Sequence, residues 1–227
     1  RFSHTHIDFY FLPDHPPLGR LWLGVWHAFA LFNLRRGPAF SLNAAECLRS
    51  AVAVDAAHGA SLLCYGALLC ETGEYRDAEV YLTAAAKAAE EEDGNNGDGA
   101  VLARGLLALA YCLAGPTDAP QGAWKITDAR DKMEAELERC AALGCGDPAD
   151  LYARLAGYLC GGGCCLPALA ETVFPLLDAA LAKAAAPRAV PLARRADLLV
   201  LRGRAALLRR EWAAAEAHLA RALDNDG

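Results

Sequence analysis

The chain has 227 residues, a formal net charge of −6 and 55% apolar side chains. That is material for a sizeable core in one large domain or two small ones. The negative charge excludes the broad basic surface that nucleic-acid binding needs, with ARRADLLVLRGRAALLRR as the one local exception.

Alanine and leucine dominate and β-branched residues are sparse, which favours helix because Ala and Leu lose little side-chain freedom there. Nine cysteines sit mostly inside apolar helical runs, as at Cys47, Cys64, Cys70 and Cys112. A secreted disulfide framework would be shorter, with its cysteines in loops, so the pattern points to a reducing intracellular compartment. No apolar run approaches the roughly 20 residues of a membrane span. The nearest stretch, LWLGVWHAFALFNL from Leu21 to Leu34, is too short and carries His27 and Asn33. The chain opens on Arg1-Phe2-Ser3 rather than Met, which fits a cleaved organelle-targeting peptide, with a mitochondrial lean, or a truncated chain.

Residues 1–19 carry RFSHTHIDFYFLPDHPP, which has neither helical nor strand period. Its aromatic density is wrong for a solvated tail, so an extended arm is expected to lie on a surface. That surface is either its own first helix, through Trp22 and Trp26, or a neighbouring subunit. Aromatics are typical interface anchors, which makes Phe9, Tyr10 and Phe11 candidate partner contacts. His4, His6, Asp8 and His15 have the side chains of a metal site, but scattered histidines in an arm are the better reading.

Five helical hairpins are predicted after the arm, over about 20–55, 58–90, 99–142, 148–186 and 190–226. In the second, Gly73 and Tyr75 mark the turn. Leu62, Tyr65, Gly66 and Leu69 lie before it, and Ala78, Leu82 and Ala85 after it. Small residues at Gly66 and Ala78 let two helices approach closely, while the leucines fill the space beside them. The trio Ala44, Leu48 and Ala51 stands 34 residues earlier. Next, EEEDGNNGDG, Glu90 to Gly99, reads as a mobile surface loop. The third hairpin offers Leu107, Ala108, Tyr111 and Gly115, followed by AWKITDARDKMEAELERCAALG. The fourth pairs DLYARLAGYLCGGG with CCLPALAETVFPLLDAALAKAAA, where Pro175 is expected to kink the helix. The fifth repeats the pattern at Gly203, Trp212, Ala215, Leu219 and Ala222, Trp212 standing where Tyr75 stands.

These residues resemble the tetratricopeptide (TPR) repeat, whose period is 34 residues. The resemblance is clearest over Asn43–Ala88 and Leu198–Asp226. It implies an all-α fold, an α-solenoid of about five TPR-like hairpins over 20–227. It also implies partner binding along a concave groove lined by the first helix of each pair. The corresponding positions carry Ala60, Leu63, Cys64 and Ala67, then Leu102, Gly105, Leu106 and Leu109. No basic clamp for an acidic peptide carboxylate is present, so chaperone-tail binding is disfavoured. Leu63, Ala67, Leu106 and Leu109 become candidate partner contacts. Helices apolar on nearly every side are buried helices, so either a tightly curled array or a permanent partner must cover this groove.

Candidate chemistry is sparse. Cys140, Cys145, Cys160, Cys164 and Cys165 fall close together, and the set Cys140, Cys145, Cys160 and Cys164 is the candidate zinc site. Its spacings match no standard zinc signature. Cys164 and Cys165 follow a glycine run and are placed to open a helix, where a thiol pKa falls. CGGGCC lacks the lysine and strand of a phosphate loop. Only four serines exist, and no Gly-x-Ser-x-Gly. The expected function is therefore non-catalytic and without cofactor: a protein–protein interaction scaffold, an accessory or assembly subunit of a larger complex, organellar in one version. The alternative is a thiol-redox or zinc protein using the Cys140–Cys165 cluster.

Overall fold

The computed structural model describes residues 16–93, 97–114, 126–161, 163–183 and 192–224. Among them the chain forms ten α-helices and no strand. They are α1 (Pro16–Arg36), α2 (Ser41–Val54), α3 (Gly59–Thr72), α4 (Tyr75–Asp93), α5 (Asp98–Leu113), α6 (Ile126–Ala142), α7 (Pro148–Cys160), α8 (Pro167–Lys183), α9 (Leu192–Leu208) and α10 (Trp212–Asp224). Each odd-numbered helix packs along the even-numbered one that follows it, which makes five hairpins. The odd helices also meet in series, α3 with α5, α5 with α7 and α7 with α9, and form the inner layer of an all-α, TPR-like solenoid.

Small residues at fixed spacing set the helix contacts. Ala44, Leu48 and Ala51 are buried, as are Ala78, Leu82 and Ala85 one period later. A Cβ on Gly66 of α3 would stand 2.5 Å from Leu82 Cγ of α4, so only glycine fits there. The same pair recurs in the last hairpin, where a Cβ on Gly203 would stand 2.8 Å from Leu219. The α3–α4 turn closes through Gly73, whose φ of 83° lies in the left-handed region. There the Glu74 N–H donates to the Leu69 carbonyl at 2.8 Å. The last hairpin uses the same turn with Arg210 at φ 63°, and the Glu211 N–H donates to the Ala206 carbonyl.

Polar pairs tie the second hairpin to the third. Arg104 of α5 reaches Glu90 of α4 at 2.7 Å and Glu136 of α6 at 3.2 Å. Glu79 of α4 accepts from the Tyr111 hydroxyl and the Lys132 ammonium, each at 2.7 Å.

Two expected boundaries move, and one helix carries a proline inside it. Helix α1 opens at Pro16, inside the stretch read as arm, because proline is well suited to the first turn of a helix. Helix α4 runs to Asp93 and α5 starts at Asp98, so most of the stretch read as a Glu90–Gly99 loop is helical. Its glutamates are good helix formers, and Glu90 is held by Arg104. Helix α8 runs through Pro175, which stands on the exposed side, where water can satisfy the carbonyl left without a donor.

Candidate interaction surface

The inner layer is closed. Every residue of α3 from Ser61 to Cys70 is buried, and α5 is buried almost continuously from Ala100 to Tyr111. Leu63, Ala67, Leu106 and Leu109, read from the sequence as groove contacts for a partner, are 6%, 0%, 0% and 3% exposed. All four belong to the chain's own core, so the reading of them as partner contacts is corrected.

The fourth hairpin supplies the cover. Helix α8 and the connector before it pack on α3. Cys64 Sγ of α3 lies 3.2 Å from Cys164 Sγ of the connector. The Glu71 carboxylate of α3 accepts from the Leu169 N–H in the first turn of α8 at 3.1 Å. That donor is one of the amides a helix start leaves unpaired. Burial pushes the Glu71 carboxyl above its ordinary pKa, and the Leu169 bond pulls it partly back. A cleft beside this contact is lined by Leu34, Pro38, Ser41, Cys165 and Leu166. It has room for about one water molecule, too little for a ligand.

Apolar surface is exposed instead on α1, the first of the described helices. Leu23, Ala30 and Leu34 of α1 face the core. On the opposite side Leu21, Phe29 and Phe32 are 63%, 55% and 56% exposed. Their spacing places them along one helical stripe, with Val25 and Ala28 between them. Arg36 closes the stripe, its guanidinium 3.6 Å from the Phe40 ring centre and 5.7 Å from that of Phe32. Contiguous exposed apolar surface is the kind that protein interfaces use. In the sequence it was visible only as a near-membrane apolar run, and no helix of the described residues is long and apolar enough to cross a membrane. In the fifth hairpin Trp212 is exposed, whereas Tyr75, at the matching turn, packs against the core.

Helix α1 is pinned to α3 by a polar cluster. The buried Ser61 hydroxyl bonds Nδ1 of His27 at 3.0 Å and Nδ1 of His58 at 2.7 Å. His58 also caps α3 by accepting from the Ser61 N–H. Burial, then the neighbouring His58, lowers the His27 pKa.

The cysteines do not assemble a metal site. Cys140 Sγ points at the Val101 carbonyl and Cys145 Sγ at Asp150. Among the described residues no group of three or more His, Cys, Asp or Glu side chains converges as metal ligands. The expected set of Cys140, Cys145, Cys160 and Cys164 is therefore not brought together. Burial pushes the Cys140 and Cys160 thiols up to about 12. Cys164 was expected to be an activated thiol at a helix start, but α8 begins only at Pro167, and burial drives the Cys164 pKa well up instead. Phe9, Tyr10 and Phe11, and the arm histidines His4, His6 and His15 with Asp8, lie outside the described residues.

No curated protein and no solved structure matches the chain. Residues 21–129, which span the first two hairpins, α5 and the start of α6, match the family model described as the cilia and flagella-associated protein 70 middle TPR-like domain. With ten helices paired in sequence among the described residues, small-residue contacts repeated at the TPR period and this match over residues 21–129, the chain has an all-α, TPR-like helical-repeat fold.

Proposed function

We propose that the protein is a non-catalytic interaction scaffold, an accessory subunit of a larger multiprotein assembly. It meets its protein partner through the outer face of α1 and not through the groove. The exposed stripe of Leu21, Phe29 and Phe32 carries this reading, because it stands open while the inner layer is filled by the chain itself. Aromatic side chains of this kind dominate binding energy where they become fully desolvated. The family whose model matches is named for association with cilia and flagella, so a ciliary or flagellar assembly is the place to look for the partner. That match lends nothing to the mitochondrial lean of the sequence.

The test replaces Phe29 and Phe32 together by glutamate and follows incorporation into the native assembly by co-sedimentation. Val80→Glu, at a comparably exposed site on α4, serves as control. The double variant should keep wild-type helical content and lose incorporation by at least tenfold, while the control incorporates normally. Wild-type incorporation of a folded double variant would sink the proposal.

A further inference from the structure

The nine cysteines are all free, and Cys64 and Cys164 form the one thiol–thiol contact among the described residues. Their sulfurs are 3.2 Å apart, closer than two unbonded sulfurs usually settle, and both side chains are fully buried. One hundred residues separate them in sequence. The contact joins the second hairpin to the fourth across the third. The other sulfurs with a defined partner bond elsewhere: Cys47 accepts from the Asn33 amide, and Cys140 donates to the Val101 carbonyl, Cys145 to Asp150 and Cys165 to the Gly161 carbonyl.

We infer that Cys64 and Cys164 are an oxidisable pair, a modification site whose disulfide locks the curled form of the array. The oxidant is a small peroxide. One thiolate displaces hydroxide from hydrogen peroxide and becomes a sulfenic acid. The neighbouring thiolate attacks that sulfur, the S–S bond forms, and the second oxygen leaves. Two thiols and one peroxide give one disulfide and two waters.

Closing the sulfurs from 3.2 Å to bonding distance, about 2.05 Å, is a small movement. The mobile partner is Cys164, since its connector leaves α7 through Gly161 and Gly163 and reaches α8 only at Pro167. Cys64, by contrast, is held in the middle of a buried helix. At rest both sulfurs are shut off from water. Burial and the contact with Cys64 keep the Cys164 thiol protonated. Oxidation therefore waits for the connector to lift from α3, a local opening of a short non-helical segment that costs less than global unfolding. Reclosure brings the second thiol against the oxidised one before a further oxidation step occurs. The disulfide then removes the opening, so the site records that the connector has opened in the presence of oxidant. Exposed Cys112 is an internal reference, since a thiol on the surface is oxidised without any opening.

The folded full chain is treated with hydrogen peroxide at neutral pH, quenched, and mapped by mass spectrometry without reduction. The expected product is a cross-linked peptide joining residues 64 and 164, formed more slowly than Cys112 oxidation and reversed by dithiothreitol. Oxidised protein should melt higher by roughly 10 °C, the shift expected for a cross-link closing a loop of this length. Cys164→Ser should lose both the cross-link and the shift. Should that variant fail to fold, the wild-type map decides alone. Cross-links spread over Cys70, Cys160 and Cys165, or free Cys64 and Cys164 after Cys112 is consumed, would overturn the inference.

Discussion

The approach of α3 to α4 depends on the absence of a single methyl group, and Gly66→Ala tests it. An added Cβ would stand 2.5 Å and 2.6 Å from Leu82 Cγ and Cδ2 and 3.3 Å from the Leu82 backbone nitrogen. Leu82 is fully buried, so its side chain has no empty space to swing into. Overpacking of this kind costs about 1–3 kcal/mol. Replacing glycine by alanine inside a helix returns up to about 1 kcal/mol of helix propensity. The net expectation is a loss of about 1–2 kcal/mol, a melting-temperature drop of roughly 3–6 °C for a chain of this size. Two further glycines calibrate the result. At Gly203 the opposing Leu219 is only half-buried and can yield, so Gly203→Ala should cost less. At Gly157 nothing lies within 4 Å, so Gly157→Ala should stabilise by about 0.5–1 kcal/mol. Urea denaturation followed by circular dichroism at 222 nm would rank the three. If Gly66→Ala proved as stabilising as Gly157→Ala, the helices do not meet through Gly66 and the register is wrong.

Arg210→Gly should stabilise the chain by about 1 kcal/mol, because Arg210 takes at φ 63° the left-handed turn position that Gly73 fills in the second hairpin; an unchanged urea midpoint would deny that the turn is strained. The His27 cluster predicts a pH dependence. With its folded pKa lowered by burial and by His58, neutral His27 contributes stability that is complete above the unfolded value of 6.5 and is lost as pH falls below it. Glu71, whose pKa is raised, acts in the opposite sense, so the informative quantity is the difference between wild type and His27→Asn. Wild type should lose urea resistance between pH 7 and pH 5 more steeply than the variant, and parallel curves would count against the cluster. Finally, deleting residues 1–14 removes Phe9, Tyr10 and Phe11 and leaves α1 whole. Helical content should survive while incorporation into the native assembly weakens; early melting of the truncated chain would instead make the arm an internal cap.

Much of the repeat was legible because its contacts are local. A hairpin brings together residues a fixed distance apart, so Ala44, Leu48 and Ala51 announce Ala78, Leu82 and Ala85, and Gly66 announces Gly203. The covering of α3 left no such mark. Cys64 meets Cys164 and Glu71 meets Leu169 across about a hundred residues, and no spacing in the sequence encodes that pairing. What could be read was the consequence, an inner helix apolar on all sides. The choice between a curled array and a partner could not be read from it. Charge misleads at Glu90: an acidic run reads as a loop, although Arg104 ties Glu90 to Glu136 in a partly buried network.

The same physics explains why the candidate surface lies on α1, the first of the described helices. In a stack of hairpins each helix buries one side on its own partner and the other on the next hairpin. Helix α1 packs on α2 and is pinned to α3 of the next hairpin, but no preceding hairpin stands among the described residues. Its composition nevertheless suits a helix covered on both sides, with Leu21, Phe29 and Phe32 where a neighbour would pack. Residues that only faced water would not need three large apolar side chains along one stripe. The inner layer, by contrast, already has its cover in the connector and α8. A partner entering there would have to displace Cys164 from Cys64 and Leu169 from Glu71, leaving buried groups unpaired on both sides. Docking on α1 requires no such rupture, because it buries surface that is already in water.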